Sequence, residues 1–278
     1  MWNTTRSKEV DISAEAVCQR IILQNDELFS WDSRGVQRKD ELARLSGGLT
    51  SRGIYRQLLQ ETETMEAQNP VTQFIVQGMK AEVEGRPDAA ADLFLQAWDV
   101  AVDDYDACIA AHYVARHQKT PNDTLHWNQV CLDRADKVGD ERVRGFYPSL
   151  HLNLARAHVD LGDREAARDH FRRAAERIHD AAAGPYGEGI RFAVAKGLRA
   201  TGDLTDSSDA LTNLINRLCA RADLPSLALL LPPYLGNLGG AADRTRLLTA
   251  LQMVHASRAL EGEDLSLLRQ AIGELNGV

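Results

Sequence analysis

Cys108 and His112 stand four residues apart, a spacing that puts both on one face of a helix. A thiol beside an imidazole is the pattern of a nucleophile with its base. It becomes one only when an oxyanion site and a depressed thiol pKa accompany it, and the sequence carries no sign of either. His112, His117, His126 and His151 fall near the middle of the chain, and four imidazoles can hold one metal ion. Each lies on a different turn, so they read as surface or packing histidines. There is no Gly-x-x-x-x-Gly-Lys-Ser/Thr loop to cradle phosphates, no Gly-x-Gly-x-x-Gly, no Gly-x-Ser-x-Gly elbow and no His-Glu-x-x-His. Cys18, Cys108, Cys131 and Cys219 form no Cys-x-x-Cys pair and read as reduced, buried small hydrophobes. The expectation is a chain without catalytic residues, metal or cofactor.

Composition narrows the class further. The 278 residues carry a net charge of -8, which argues against nucleic-acid binding over the whole surface. No run approaches the roughly 18 apolar residues that a spanning helix needs, so no membrane partner is expected. The opening residues, MWNTTRSKEVDISAEAV, lack the apolar core of a secretory signal, and a cytoplasmic location is the expectation.

The elements that must position any site come from a recurring pattern. Ala90, Phe94 and Ala97 follow Gly85, and Ala167, Phe171 and Ala174 follow Gly162 at the same offsets. A small residue, a large apolar residue four on and a small residue three further make one helix face. A weaker copy has Asn128, Leu132 and Ala135 after the longer polar turn RHQKTPNDT. A fourth has Ser207, Leu211 and Leu214 after Gly202. The large positions, Phe94, Leu132, Phe171 and Leu211, are separated by 38, 39 and 40 residues. Each repeat reads as two antiparallel helices. Glycine supplies the left-handed turn, and a following Asp or Thr caps the next helix. A lone hairpin cannot bury its apolar face, so the repeats must stack.

With Gly78, Gly85, Ala90, Phe94 and Ala97 in the first repeat and Ala155, Gly162, Ala167, Phe171 and Ala174 in the third, the chain resembles the tetratricopeptide repeat family. Its alanine-rich, Asp/Arg-rich style is similar to actinobacterial members. The resemblance covers residues 69–218, lacks the motif's terminal proline and has slightly long repeats. It implies an all-α fold, a right-handed α-solenoid of stacked antiparallel helix pairs. It also implies that the first helix of each repeat lines a concave groove. That register turns Tyr105, His112 and Arg116 inward from the second repeat, Asn153 and Arg156 from the third, and Lys196 and Arg199 from the fourth, with Tyr147 as a further contact. A groove of arginines and an asparagine suits a protein or peptide with an acidic segment or a C-terminal carboxylate.

Two segments lie outside the pattern. In residues 1–68, DELARLSG followed by SRGIYRQL weakly resembles a helix-turn-helix, and residues 34–56 hold six cationic against two acidic residues. A helical cap is the simpler expectation there, and nucleic acid enters only through 34–56. Residues 219–278 read as a C-terminal helical cap broken at Pro232-Pro233 and Gly239-Gly240. The expected function is a non-catalytic, peptide-binding adaptor. One alternative is a transcriptional regulator whose repeats sense a ligand. Another is a small-molecule binder or enzyme using His112, Tyr147 and the arginines. The sequence leaves the oligomeric state open.

Overall fold

In the computed structural model the described residues are 69–204 and 208–277, and among them the chain is all-helical, with twelve α-helices, one short 3-10 turn and no strand. The helices are α1 (Pro70–Val83), α2 (Pro87–Asp99), α3 (Asp104–Ala115), α4 (Pro121–Val138), α5 (Glu141–Arg144), α6 (Tyr147–Asp160) and α7 (Arg164–Glu176). After the 3-10 turn Ile178–Asp180 come α8 (Pro185–Thr201), α9 (Asp209–Ala220), α10 (Leu224–Leu235), α11 (Ala241–Ser257) and α12 (Gly262–Asn276). They form two compact units, the first ending at Gly145 and the second beginning at Phe146. The 1–68 segment, with its helix-turn-helix resemblance, and Ser207 lie outside the described residues.

The repeated turn has one backbone form. At the end of α1 the Arg86 N–H donates to the Ala81 carbonyl at 2.9 Å and the Gly85 N–H to that of Glu82 at 3.0 Å. At the end of α6, Asp163 donates to His158 at 2.9 Å and Gly162 to Val159 at 3.0 Å. This paired closure needs a left-handed residue, and Gly85 and Gly162 sit at φ 73° and 77°. The same closure ends α9, where Asp223 donates to the Leu218 carbonyl at 3.0 Å. There the left-handed position is held by Ala222, at φ 54°. The helices α2, α4, α7 and α9, which follow the turns of the four sequence repeats, start on a cap or a proline. Asp163 accepts from the Ala166 N–H at 3.0 Å, and Thr120 accepts from that of Asp123 at 3.1 Å just before Pro121.

In the first unit α1 pairs with α2, α3 with α4, and α2 packs on α3. Phe94 of α2 is fully buried and stacks on Tyr113 of α3, ring centroids 5.0 Å apart. Its other side meets α1 at Gly78, where an added Cβ would stand 2.3 Å from the Phe94 ring. Every residue of α3 from Asp106 to Ala115 is buried, so this helix is enclosed on all sides.

In the second unit α6 pairs with α7, α7 packs on α8, and α6 also meets α8. Phe171 of α7 also packs on a glycine, but on the helix that follows it rather than on the one before. A Cβ on Gly197 of α8 would come within 2.2 Å of its ring. The last four helices are arranged differently. α9 packs on α10 and α12, and α11 packs on the same two, so the group closes on itself around its own core. Leu211, Leu214, Leu218, Leu230, Leu251 and Leu268 fill that core. α9 carries the second half of the fourth sequence repeat, and it contributes its Leu211 and Leu214 face here. α8 meets this group mainly through α10.

The expected helix break at Pro232-Pro233 is corrected. Both prolines lie inside α10, which ends at Leu235. They stand in its last turn, where proline's missing N–H leaves only the carbonyls of Ala228 and Leu229 without their intrahelical donors.

Two substitutions test this packing. Gly78→Ala forces a methyl into the Phe94 ring and should lower unfolding free energy by about 1–3 kcal/mol in urea titration. The loss should shrink when Phe94→Leu is present as well, because the two changes share one contact. Ala222→Gly removes the left-handed strain of a side chain and should raise stability by about 1 kcal/mol in the same assay.

Candidate functional site

The residues assigned to a groove separate into engaged and exposed groups. In the first unit, Arg116 follows the end of α3 and donates to Glu82 of α1 at 3.1 Å. His117 shares that carboxylate at 2.7 Å, and the Arg116 guanidinium lies 5.3 Å from the centre of the Tyr113 ring. The Glu82 side chain is only 6% exposed, so the cluster is an internal lock between α1 and α3. His112 is buried with its ring edge-on to Tyr113, centroids 5.3 Å apart. The Tyr105 ring lies under the Arg142 guanidinium at 5.0 Å. The Cys108 thiol faces a second sulfur, that of Cys131, at 3.7 Å, and both residues are buried. Trp127 stands edge-on to Trp98 at 5.0 Å, and the Arg134 guanidinium covers Trp98 at 5.5 Å.

In the second unit Arg199 is engaged at the end of α10. Its guanidinium donates to the carbonyls of Tyr234 at 3.2 Å, Leu235 at 3.3 Å and Asn237 at 3.2 Å. A cation at these C-terminal carbonyls complements the helix dipole. Arg191, also on α8, donates to Asp243 at 2.6 Å and to the Gly236 carbonyl at 3.1 Å. Together the two arginines fasten α8 to the turn between α10 and α11. Arg156 on α6 and Lys196 on α8 are exposed, and Asn153, three residues before Arg156, is half-buried. These three residues lie on two helices that pack together.

A histidine stack is also found in the α6–α7 pair. The Nδ1 atoms of His151 and His170 are 3.2 Å apart, so one ring donates and the other accepts. His158 stacks on the other side of His170, centroids 5.4 Å apart and planes within 15°. Tyr147 lies beyond His151 at 6.4 Å and under the Arg177 guanidinium at 4.5 Å. Burial holds the His151 imidazole down to about 4, helped by charge on His170, Arg173 and Arg177. Burial likewise holds His170 at about 4, with His158 and Arg173 adding and Asp169 opposing. Both rings are therefore neutral at neutral pH.

The central histidines of the sequence do not converge. Instead, His151 joins His158 and His170. The seven-residue spacing of His151 and His158 on one helix carried that signal, and His170 reaches them only through the pairing of α6 with α7. Among the described residues no group of three or more His, Cys, Asp or Glu is arranged to hold a metal ion. No described helix is long and apolar enough to cross a membrane.

No protein-family model matches the chain, and no curated protein sequence does. The weight of any functional reading therefore falls on its own residues.

The histidine stack fixes a pH response. The unfolded chain titrates its histidines near 6.5, whereas His151 and His170 in the fold refuse protons until about 4. Above the unfolded value both states are neutral and these groups contribute no pH dependence. Below it, unfolding takes up protons, so stability falls as pH drops from 6.5 towards 4. The urea midpoint should decline across that window with an uptake of about two protons on unfolding. In a His151→Leu/His170→Phe variant the decline should be shallower. An equally steep decline would remove the stack as its source.

Proposed function

We propose that this chain is a non-catalytic scaffold of tetratricopeptide type, whose stacked helix pairs hold an acidic peptide segment against α6 and α8. The observation that carries the reading is the division among its cations. Arg116 and Arg199 are engaged within the fold, on Glu82 and on the α10 carbonyls. Arg156 and Lys196 stand exposed on two helices that pack side by side, in a chain of net charge -8.

Exposed arginine binds a carboxylate through two parallel hydrogen bonds, and lysine adds a mobile charge. Asn153, one turn before Arg156, supplies an amide that can pair with a peptide backbone. The fit of Phe94 against Gly78 within the α1–α2 pair, and of Phe171 against Gly197 between α7 and the next helix, supports the helix-pair part of the reading. Asn153 and Arg156 on α6 and Lys196 on α8 are the residues to which this reading assigns the ligand. The closed group α9–α12 buries its own apolar residues and suits the end of a series of stacked pairs.

A fluorescent Asp/Glu-rich peptide with a free C-terminal carboxylate is the probe. Anisotropy should show binding that weakens with salt, and weakens about tenfold or more in Arg156→Glu/Lys196→Glu. The thermal midpoint should stay unchanged, because both side chains are exposed. Equal affinity of the variant and the parent would end this reading. Equal affinity for the carboxy-amidated peptide would move recognition from the terminus to the acidic side chains.

A further inference from the structure

The groove reading leaves one pair of reactive groups unused. Cys108 on α3 and Cys131 on α4 bring two sulfurs to 3.7 Å inside the first unit. Their residues are 1% and 0% exposed. The Cys131 thiol also donates to the Cys108 main-chain carbonyl at 3.2 Å. The side chain thus spans the whole gap between the two helices and touches the opposite backbone. Ala107, Ala110, Ala111 and Ala115 line α3, and Ala135 follows Cys131 by one turn of α4, all of them buried.

We propose that Cys108 and Cys131 form a reversible dithiol–disulfide pair that a small peroxide oxidises to a staple between α3 and α4. A disulfide bond is about 2.05 Å long, so the sulfurs need to approach by about 1.7 Å. Side-chain rotation within two packed helices supplies movement on that scale. The chemistry balances with hydrogen peroxide as the oxidant. One thiol, as its thiolate, attacks a peroxide oxygen. The O–O bond breaks, water leaves, and a sulfenic acid forms. The neighbouring sulfur then attacks the sulfenic sulfur, the S–O bond breaks and a second water leaves. Two electrons pass from the two sulfurs to the peroxide, and two thiols with one peroxide give one disulfide with two waters. A dithiol reductant reverses the bond by exchange.

Burial sets the rate and the selectivity. Peroxide reaches the pair through local openings of the helices, which admit a molecule of that size far more often than a tripeptide disulfide. Once one sulfur is oxidised, the other is already in contact with it, so closure outruns further oxidation. The bond would join residues 23 apart in sequence, across the loop that contains Arg116–Thr120. Cross-linking over such a span restricts the unfolded chain and stabilises the fold. Cys219 on α9 is exposed and provides an internal measure of oxidant dose.

The test treats the full-length protein with hydrogen peroxide until Cys219 is consumed. The protein is then unfolded, free thiols are alkylated, and the digest is mapped by mass spectrometry. The expected product is a peptide pair linked through Cys108 and Cys131, lacking two hydrogens and lost after dithiothreitol. The oxidised protein should unfold several degrees higher, and reduction should return the midpoint. Three results overturn the proposal: both thiols still open to alkylation, sulfinic or sulfonic acid at either one, or a link from either to Cys18 or Cys219. None of these readouts involves a peptide ligand, so the outcome is separate from that of the groove reading.

Discussion

A phenylalanine ring pressed against a glycine is the contact on which each unit is built. Phe94 occupies the space that a Cβ on Gly78 would need, and Phe171 does the same at Gly197. Such a contact lets the ring lie directly on the glycine backbone, in keeping with the close packing of protein interiors. In the first unit the ring is also stacked on Tyr113, which carries the contact into α3. The result is a chain of neighbours from α1 through α2 to α3, set by one aromatic side chain. In the second unit Phe171 joins α7 to α8 in the same manner.

The charged residues follow from that packing. Close pairing of α1 and α3 brings Arg116 and His117 onto a single buried carboxylate, Glu82. A charge so enclosed must be matched, and losing either partner would leave the other stranded. Arg191 and Arg199 on α8 serve the second unit in a comparable way, one on Asp243 and the other on the open carbonyls of α10. Arginine suits both tasks because its planar fork reaches several acceptors at once. Of the arginines and lysines on α6 and α8, Arg156 and Lys196 are the exposed ones.

The packed pairs also gather groups whose chemistry depends on company. An isolated imidazole titrates near neutrality, but burial against another imidazole and two arginines holds His151 at about 4. A lone buried thiol is inert, yet two at contact distance share a reaction path. The pairing of α3 with α4 brings Cys131 to the opposite backbone, and the pairing of α6 with α7 places His170 beside His151.

The sequence by itself determined the helical class, the turns and the faces that pack. The positions Ala90, Phe94 and Ala97, and Ala167, Phe171 and Ala174, are all buried, because a helix face is set by local spacing. Gly85 and Gly162 close their helices as read, since a left-handed turn depends on the residue and its immediate neighbours. Tertiary structure alone decided the rest. It enclosed Pro232 and Pro233 in the last turn of α10, joined α9 to α12, and paired Cys108 with Cys131. It also divided the arginines between internal acceptors and solvent. Local periodicity reports which side of a helix is apolar. Which partner that side meets, and which cation finds a carboxylate, depends on contacts between residues tens of positions apart, and no local spacing encodes those.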